Sequence, residues 1–407
     1  MIKLSERWQQ GICFWGIFSY IFFLFSRCTT AGISIFTGIT AAILLFTYKS
    51  WYKSWYNIVN ISVKDFFLCY ALFFLSLFIS AFLLGQLAVI HSTWRYFTWT
   101  ISFFILYFYN STWFYKKAWF YGIITAVFMI VFFGIHELII DGSITLRISS
   151  YFAHPNHLAT VLVVILPCLI TLFFKCFKNE AFRFKLNIQI LVLGLSCIVG
   201  IGLLIFSQSR GGISGFLIGG IFLWSILYIS KKKDAKMRKK ISIFFLCIAL
   251  FFGIIYAATQ IFHRSYDLER MLLIQSSYAM WKDYPIYGVG LERWKEEYPL
   301  YIYPQAREPN LPMPHNSIAY FFSTTGIIGG GGFLIFTCGT IGILVMKVKK
   351  YPCNIYYQAS LWSFLALTLH GMVDTGITNK AAMQIMFAIL GMAFASEKHV
   401  KGENKNV

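Results

Sequence analysis

From Gly11 almost to its end, the chain is a succession of aromatic-rich apolar runs, each roughly 17 to 25 residues long and separated by short polar breaks. A helix rising 1.5 Å per residue needs about 20 such residues to cross the hydrocarbon core of a bilayer. Each run is therefore the length of one transmembrane helix. With 58% of its residues hydrophobic and 13% charged, the chain has too little polar surface to coat a soluble domain of its size. The expectation is an all-α polytopic membrane protein, a single membrane domain over 1–407, with about twelve transmembrane helices and one long outer loop (262–314) that itself contains helix.

The spans are predicted at 11–26, 31–48, 65–84, 96–112, 118–136, 157–174, 187–206, 212–230, 241–261, 317–346, 355–373 and 381–396. The span at 317–346 is the longest and must tilt or break near its glycines. Lys3 and Arg7 precede the first run and no small-residue cleavage site follows it, which marks a retained span rather than a removed signal.

A net charge of +19 would point to nucleic acid in a soluble protein; in a membrane protein it bears first on topology. Alternating the loops between two sides puts 24 of the 35 Lys and Arg on one side, including the run Lys231–Lys240. By the positive-inside rule that side is cytoplasmic, with both termini inside and no role for nucleic acid. The nine cysteines are scattered without a C-x-x-C pair, which argues against a disulfide framework and against zinc.

Eleven cations remain on the outer side, where the rule disfavours them: Arg27, Arg95, Arg147, Arg210, Arg264, Arg270, Lys282, Arg293, Lys295, Arg307 and Lys380. Eight of the eleven are arginine, the better residue for a bidentate grip on phosphate oxygens, so an anionic ligand is expected outside.

Three outer segments carry most of them. The first, 137–156, holds Arg147 and ends in His154-Pro155-Asn156-His157, where Pro155 suits a helix start and Asn156 could cap it. The two histidines lack a third ligand of matching spacing, so no metal site is expected. The second is the hairpin Ser207-Gln208-Ser209-Arg210-Gly211-Gly212, whose glycines allow a tight turn and close approach to a ligand, and whose polar residues add donors. An ordinary charged turn between spans has the same composition.

In the third segment, 262–314, Leu268 to Asp283 reads as a surface helix that stops at Pro285 and is followed by Gly288-Val289-Gly290. Glu269-Arg270 opens this helix, and Glu292-Arg293 follows the glycines. The segment leads into Pro312-Met313-Pro314-His315-Asn316 at the mouth of a span, where a neutral imidazole can accept a hydroxyl proton. His370 and Asp374, four apart near the outer end of a later span, read as a packing or gating pair.

In this order, the Arg210 hairpin, Arg270 opening a helix that leads to Pro285-Ile-Tyr-Gly288-Val-Gly290, and His315-Asn316 before a glycine-rich span resemble the O-antigen ligase and polymerase superfamily. The likeness runs from about Arg147 through the tenth span. The His154-Pro155-Asn156 element departs from the family's Asn-Pro-Asn in its first residue.

The resemblance implies a glycosyltransferase of the GT-C type in the bacterial inner membrane, working at the periplasmic face without metal or other cofactor. Its donor would be a glycan on undecaprenyl diphosphate and its acceptor lipid A-core, with membrane lipids as surroundings. Arg210 and Arg270 would bind the diphosphate and His315 would act on the acceptor hydroxyl. Arg147, Asn156, Gln208, Ser209, Gly211, Arg293 and Asn316 would supply further substrate contacts. The related polymerase, a protein glycan transferase, and a transporter of a lipid-linked anion are the competing readings.

Overall fold

The computed structural model describes residues 6–47, 61–109, 113–141, 147–180, 188–229, 266–374 and 376–396. The predicted ninth span, Arg264 and the run Lys231–Lys240 lie outside these residues. Along the described chain run α1 (Glu6–Ser26), α2 (Thr30–Thr47), α3 (Ile61–Leu84), α4 (Leu87–Phe97), α5 (Trp99–Tyr109), α6 (Trp113–Asp141), α7 (Pro155–Glu180), α8 (Ile188–Phe206) and α9 (Arg210–Ile229). They are followed by α10 (Tyr266–Asp283), α11 (Trp294–Tyr301), α12 (Ser317–Lys350), α13 (Ile355–His370), a 3-10 turn (Gly376–Thr378) and α14 (Lys380–Ala395).

The protein is an all-α polytopic membrane protein, with no strand among the described residues. Of the described helices, α3, α6, α7, α8, α9 and α12 are long and apolar enough to cross a bilayer, and α1, α2 and α14 contain shorter apolar stretches. Helix α3 shows what the bilayer demands of such an element. It buries Phe66, Tyr70, Phe73 and Leu77 against the bundle and turns Leu68, Leu72, Leu75 and Ile79 outward, so both faces are apolar.

At the centre stands α14, buried from Ile385 to Ala395 and packed on α5, α7 and α13. Its Phe387 meets Tyr70 of α3 with ring centroids 5.0 Å apart, and Phe73 stacks on Phe336 of α12 at 5.4 Å. These edge and offset contacts are the favoured aromatic geometries and give the core a defined register.

The predicted fourth span is divided. Its described residues belong to α4 (96–97) and α5 (99–109), which meet at Thr98. The Thr98 hydroxyl donates to the Arg95 carbonyl and the Thr100 hydroxyl to the Phe97 carbonyl, both at 2.7 Å, and such back-bonding bends a helix. Helix α4 then buries only the face made by Val89, Thr93 and Tyr96.

The long span does break at its glycines. At Gly326 the backbone leaves the helix (φ 63, ψ −162), so the ladder bonds Ile327→Ser323 and Ile328→Thr324 are missing. The segment after α10 replaces both. Val289 and Gly290 donate to the Ser323 and Thr324 carbonyls at 2.9 Å, while Ile327 and Ile328 donate to Pro285 and Ile286 at 2.8 and 3.4 Å. The approach needs glycine on both sides: a Cβ on Gly288 (φ 71) would overlap the Thr324–Gly326 backbone, and one on Gly326 would overlap Ile286. The Gly-x-Gly of the outer loop is thus the docking joint that hangs α10 on α12.

Candidate active site

At one pole of the bundle α1, α6, α8 and α13 end and α7, α9, α12 and α14 begin. The ends are tied to one another: Tyr151 donates to the Ser26 carbonyl, Ile148 to Phe206, and Ser317 to Gly371. Here lies an open cavity of about 480 Å³ lined by residues from each of the three outer segments.

The hairpin contributes first. Gln208 takes the left-handed conformation (φ 50) that reverses the chain, and Ser209 caps α9, its Oγ accepting from Gly212 N at 3.3 Å and its carbonyl from Ile213 N at 2.9 Å. Arg210 is therefore the first residue of α9, where the positive end of the helix dipole favours an anion. The expectation that Gly211 and Gly212 make the turn is corrected: both lie in the first turn of α9. A Cβ on Gly211 would run into Val373 and one on Gly212 would press on Ala159, so these glycines let α9 pack closely on its neighbours.

Arg147 backs the hairpin, its Nε donating to the Ser207 carbonyl at 3.2 Å and its Nη2 to Asn156 Oδ1 at 2.7 Å. The segment bearing it is anchored by Glu137, whose carboxylate accepts from Ser149 N, Ser150 N and Ser149 Oγ. Pro155 opens α7 as its sequence foretells, but Asn156 does not cap it. The His154 Nδ1 takes the Asn156 amide at 3.1 Å instead, which frees the Asn156 side chain to face the cavity. Burial and the nearby Arg147 lower the His154 pKa, which suits a ring accepting a hydrogen bond.

From α10 come Glu269 and Arg270. The Glu269 carboxylate accepts from Arg307 N and Glu308 N at 3.0 and 3.2 Å, fastening the return limb of the outer loop. Arg270 points inward, its Nη2 4.0 Å from Asp374 Oδ2. His315, left-handed at φ 51, places Nδ1 3.1 Å from Asp374 Oδ1. Asn156 Nδ2 also donates to this carboxylate.

Asp374 is thus the hub that sequence reasoning missed. It lies beyond the end of α13, in the link to α14, and does not share a helical face with His370. Asn316 explains its position. The Asn316 Oδ1 caps α12 by accepting from Ala319 N at 2.9 Å, while its Nδ2 donates to the Met372 carbonyl at 2.8 Å, so the His315 and Asp374 segments are stitched together. Burial acts to raise the Asp374 pKa, but the His315 hydrogen bond and the charges of His315, His370 and Arg270 outweigh it and hold the carboxyl below its ordinary value. An ionised carboxylate only accepts, so Nδ1 of His315 carries a proton, and in the neutral ring Nε2 is the basic nitrogen.

Of the residues expected at the site, Arg147, Asn156, Gln208, Ser209, Arg210, Gly211, Arg270 and His315 line the cavity, and Arg293 and Asn316 do not. Arg293 is held at the start of α11 by Glu296 (3.1 Å), Glu297 (2.6 Å) and Gln86 (3.0 Å). His157, Glu269, Glu308 and Asp374 join the lining.

Fold and cavity define a polytopic α-helical membrane protein that gathers three guanidinium groups and a histidine–carboxylate pair at one pole. Residues 195–334 match a protein-family model described as O-Antigen ligase, in agreement with the resemblance carried by the hairpin, the outer helix and the histidine. The matched segment includes Arg210, Arg270, His315 and the Gly326 break; Arg147, Asn156 and Asp374 lie outside it. No curated protein matches the chain.

Proposed function

We propose that this protein is a membrane glycosyltransferase of the O-antigen ligase type. It moves a glycan from undecaprenyl diphosphate to a sugar hydroxyl of lipid A-core at the periplasmic face of the bacterial inner membrane. The observation that carries the reading is the convergence of Arg147, Arg210 and Arg270 with the His315–Asp374 pair in one cavity.

The chemistry follows from charge. As the bond from the anomeric carbon to the diphosphate oxygen breaks, that oxygen gains negative charge, and guanidinium groups fixed beforehand stabilise it. Arg210 adds the positive end of α9. The acceptor hydroxyl gives its proton to His315 Nε2 while its oxygen forms the new bond to the anomeric carbon from the opposite face, which inverts the centre. Asp374 holds the ring in the tautomer this requires and stabilises the imidazolium that results. The donor is already activated, so neither nucleotide nor ion gradient is needed.

The test is reconstitution with undecaprenyl-diphosphate glycan and either lipid A-core or a second lipid-linked glycan as acceptor. Transfer to lipid A-core, lost in Arg210→Ala, Arg270→Ala and His315→Ala proteins that insert normally, supports the ligase. Extension of the lipid-linked glycan without lipid A-core would overturn it in favour of the polymerase. Loss of transfer in chelator would overturn the view that the arginines carry the leaving-group charge.

A further inference from the structure

Of the outer cations that take no part in the site just described, two come together. Arg27 and Lys380 line a second cavity of about 330 Å³ with His157, Met313, Thr378 and Asn379. His157 belongs to both cavities, and the segment that carries His315 divides them: Leu311, Pro312 and His315 face the first, Met313 the second.

Both cations stand where local energetics oppose them. Arg27 closes α1 by donating to the Phe23 carbonyl at 3.0 Å with φ 59, a left-handed position that helix ends reserve for glycine and that costs another residue about 1 kcal/mol. Lys380 is the first residue of α14, where the helix dipole disfavours a positive charge. Among the described residues neither meets a carboxylate at ion-pair distance; the Arg27 Nη1 donates to the neutral Gln384 Oε1 at 2.8 Å, which aims it at α14. Burial lowers the Arg27 pKa to about 10, so it is still charged at neutral pH. Two cations held against backbone preference and dipole beside one cavity form a place where an anion from outside the chain would be favoured.

We propose that this second cavity is a subsite for a phosphate group on the acceptor, an inference that rests on reading the first cavity as the place of glycan transfer. Two cations match the near-dianionic charge of a phosphate monoester at neutral pH, and the guanidinium supplies a bidentate grip. The donor's diphosphate is met by the three arginines of the first cavity. A molecule whose phosphate sits in the second presents its neighbouring hydroxyls along the 311–315 segment, towards His315.

Purified wild type, Arg27→Gln and Lys380→Met are compared in phosphatidylcholine nanodiscs with two probes, lipid A-core before and after phosphatase treatment. Loss of a hydrogen bond to a charged group corresponds to about a tenfold change or more. The acceptor KM of the wild type is expected to rise by about that factor on the dephosphorylated probe. Each variant raises it similarly on the phosphorylated probe and leaves the dephosphorylated probe and the donor KM unchanged. Equal effects on both probes, or a raised donor KM, would overturn the assignment. So would phosphatidylglycerol stabilising the wild type but not Lys380→Met without any discrimination between probes, which would give the cavity to a membrane lipid. If the wild type transfers nothing, native mass spectrometry with the same probes decides separately: phosphate-dependent binding lost in Lys380→Met upholds the subsite while the transfer reading fails, and phosphate-independent binding overturns it.

Discussion

Replacing Asp374 by asparagine is the sharpest way to ask whether His315 is a base. The side chain is nearly isosteric and buried, so packing is preserved while the charge is removed. An amide can turn its NH2 towards His315 Nδ1, 3.1 Å away, which drives the ring proton to Nε2 and abolishes the base. Losing general base catalysis costs about 10²- to 10⁴-fold, so kcat is expected to fall by about three orders of magnitude. Donor binding moves the other way. Asp374 lies 4.0 Å from Arg270, an attraction of about 4 kcal/mol at an effective dielectric of 20 before solvation is counted, and it competes with the diphosphate for that guanidinium. The donor KM should therefore hold or fall. Steady-state transfer assays on Asp374→Asn, His315→Ala and the double variant separate these effects, the double variant being no slower than His315→Ala alone. Additive losses, or a raised donor KM, would refute the claim that Asp374 acts through the imidazole.

Arg210→Ala and Arg270→Ala should each lower kcat/KM by about 10²- to 10³-fold, the cost of one preorganised donor to a developing anion, and Arg210→Lys should recover little because the bidentate fork is gone. Arg293→Ala should keep transfer within about twofold and cost less than about 1 kcal/mol in thermal unfolding, since its partners are surface carboxylates. Gly288→Ala should cost about 2 to 5 kcal/mol, from the left-handed φ and a Cβ that meets main chain unable to yield, read as a lower melting temperature in detergent. The depressed pKa of Asp374 fixes a sign: its ionised form adds stability that is complete above the ordinary carboxylate value of about 4 and is lost as pH falls through the lower folded value. The melting-temperature gap between wild type and Asp374→Asn should not narrow from pH 8 to 5; narrowing within that interval would reverse the sign.

Much of the membrane architecture can be read from the run lengths, because a bilayer imposes one length scale on every element. Arg210, Arg270 and His315 can be read as well, since cations and an interfacial histidine on the outer side need a reason. Asp374 could not be, because its place in the cavity depends on Asn316 reaching across to Met372, a contact between segments far apart in sequence. Arg293 misled for a local reason: Glu296 and Glu297 follow at i+3 and i+4, the spacing at which a helix satisfies its own charge. Thr98 and Thr100 hid the division of the fourth span, since threonine passes as apolar in a hydropathy average while its hydroxyl competes for carbonyls.

The break at Gly326 has a mechanical consequence. A helix that trades two of its own rungs for four bonds to another segment cannot swing without that segment. The short arm of α12 above the break begins two residues after His315, and the grafted loop follows directly from the helix that bears Arg270. Arg270 and His315 therefore ride on one pivot, and any tilt of that arm carries the two together and conserves their spacing.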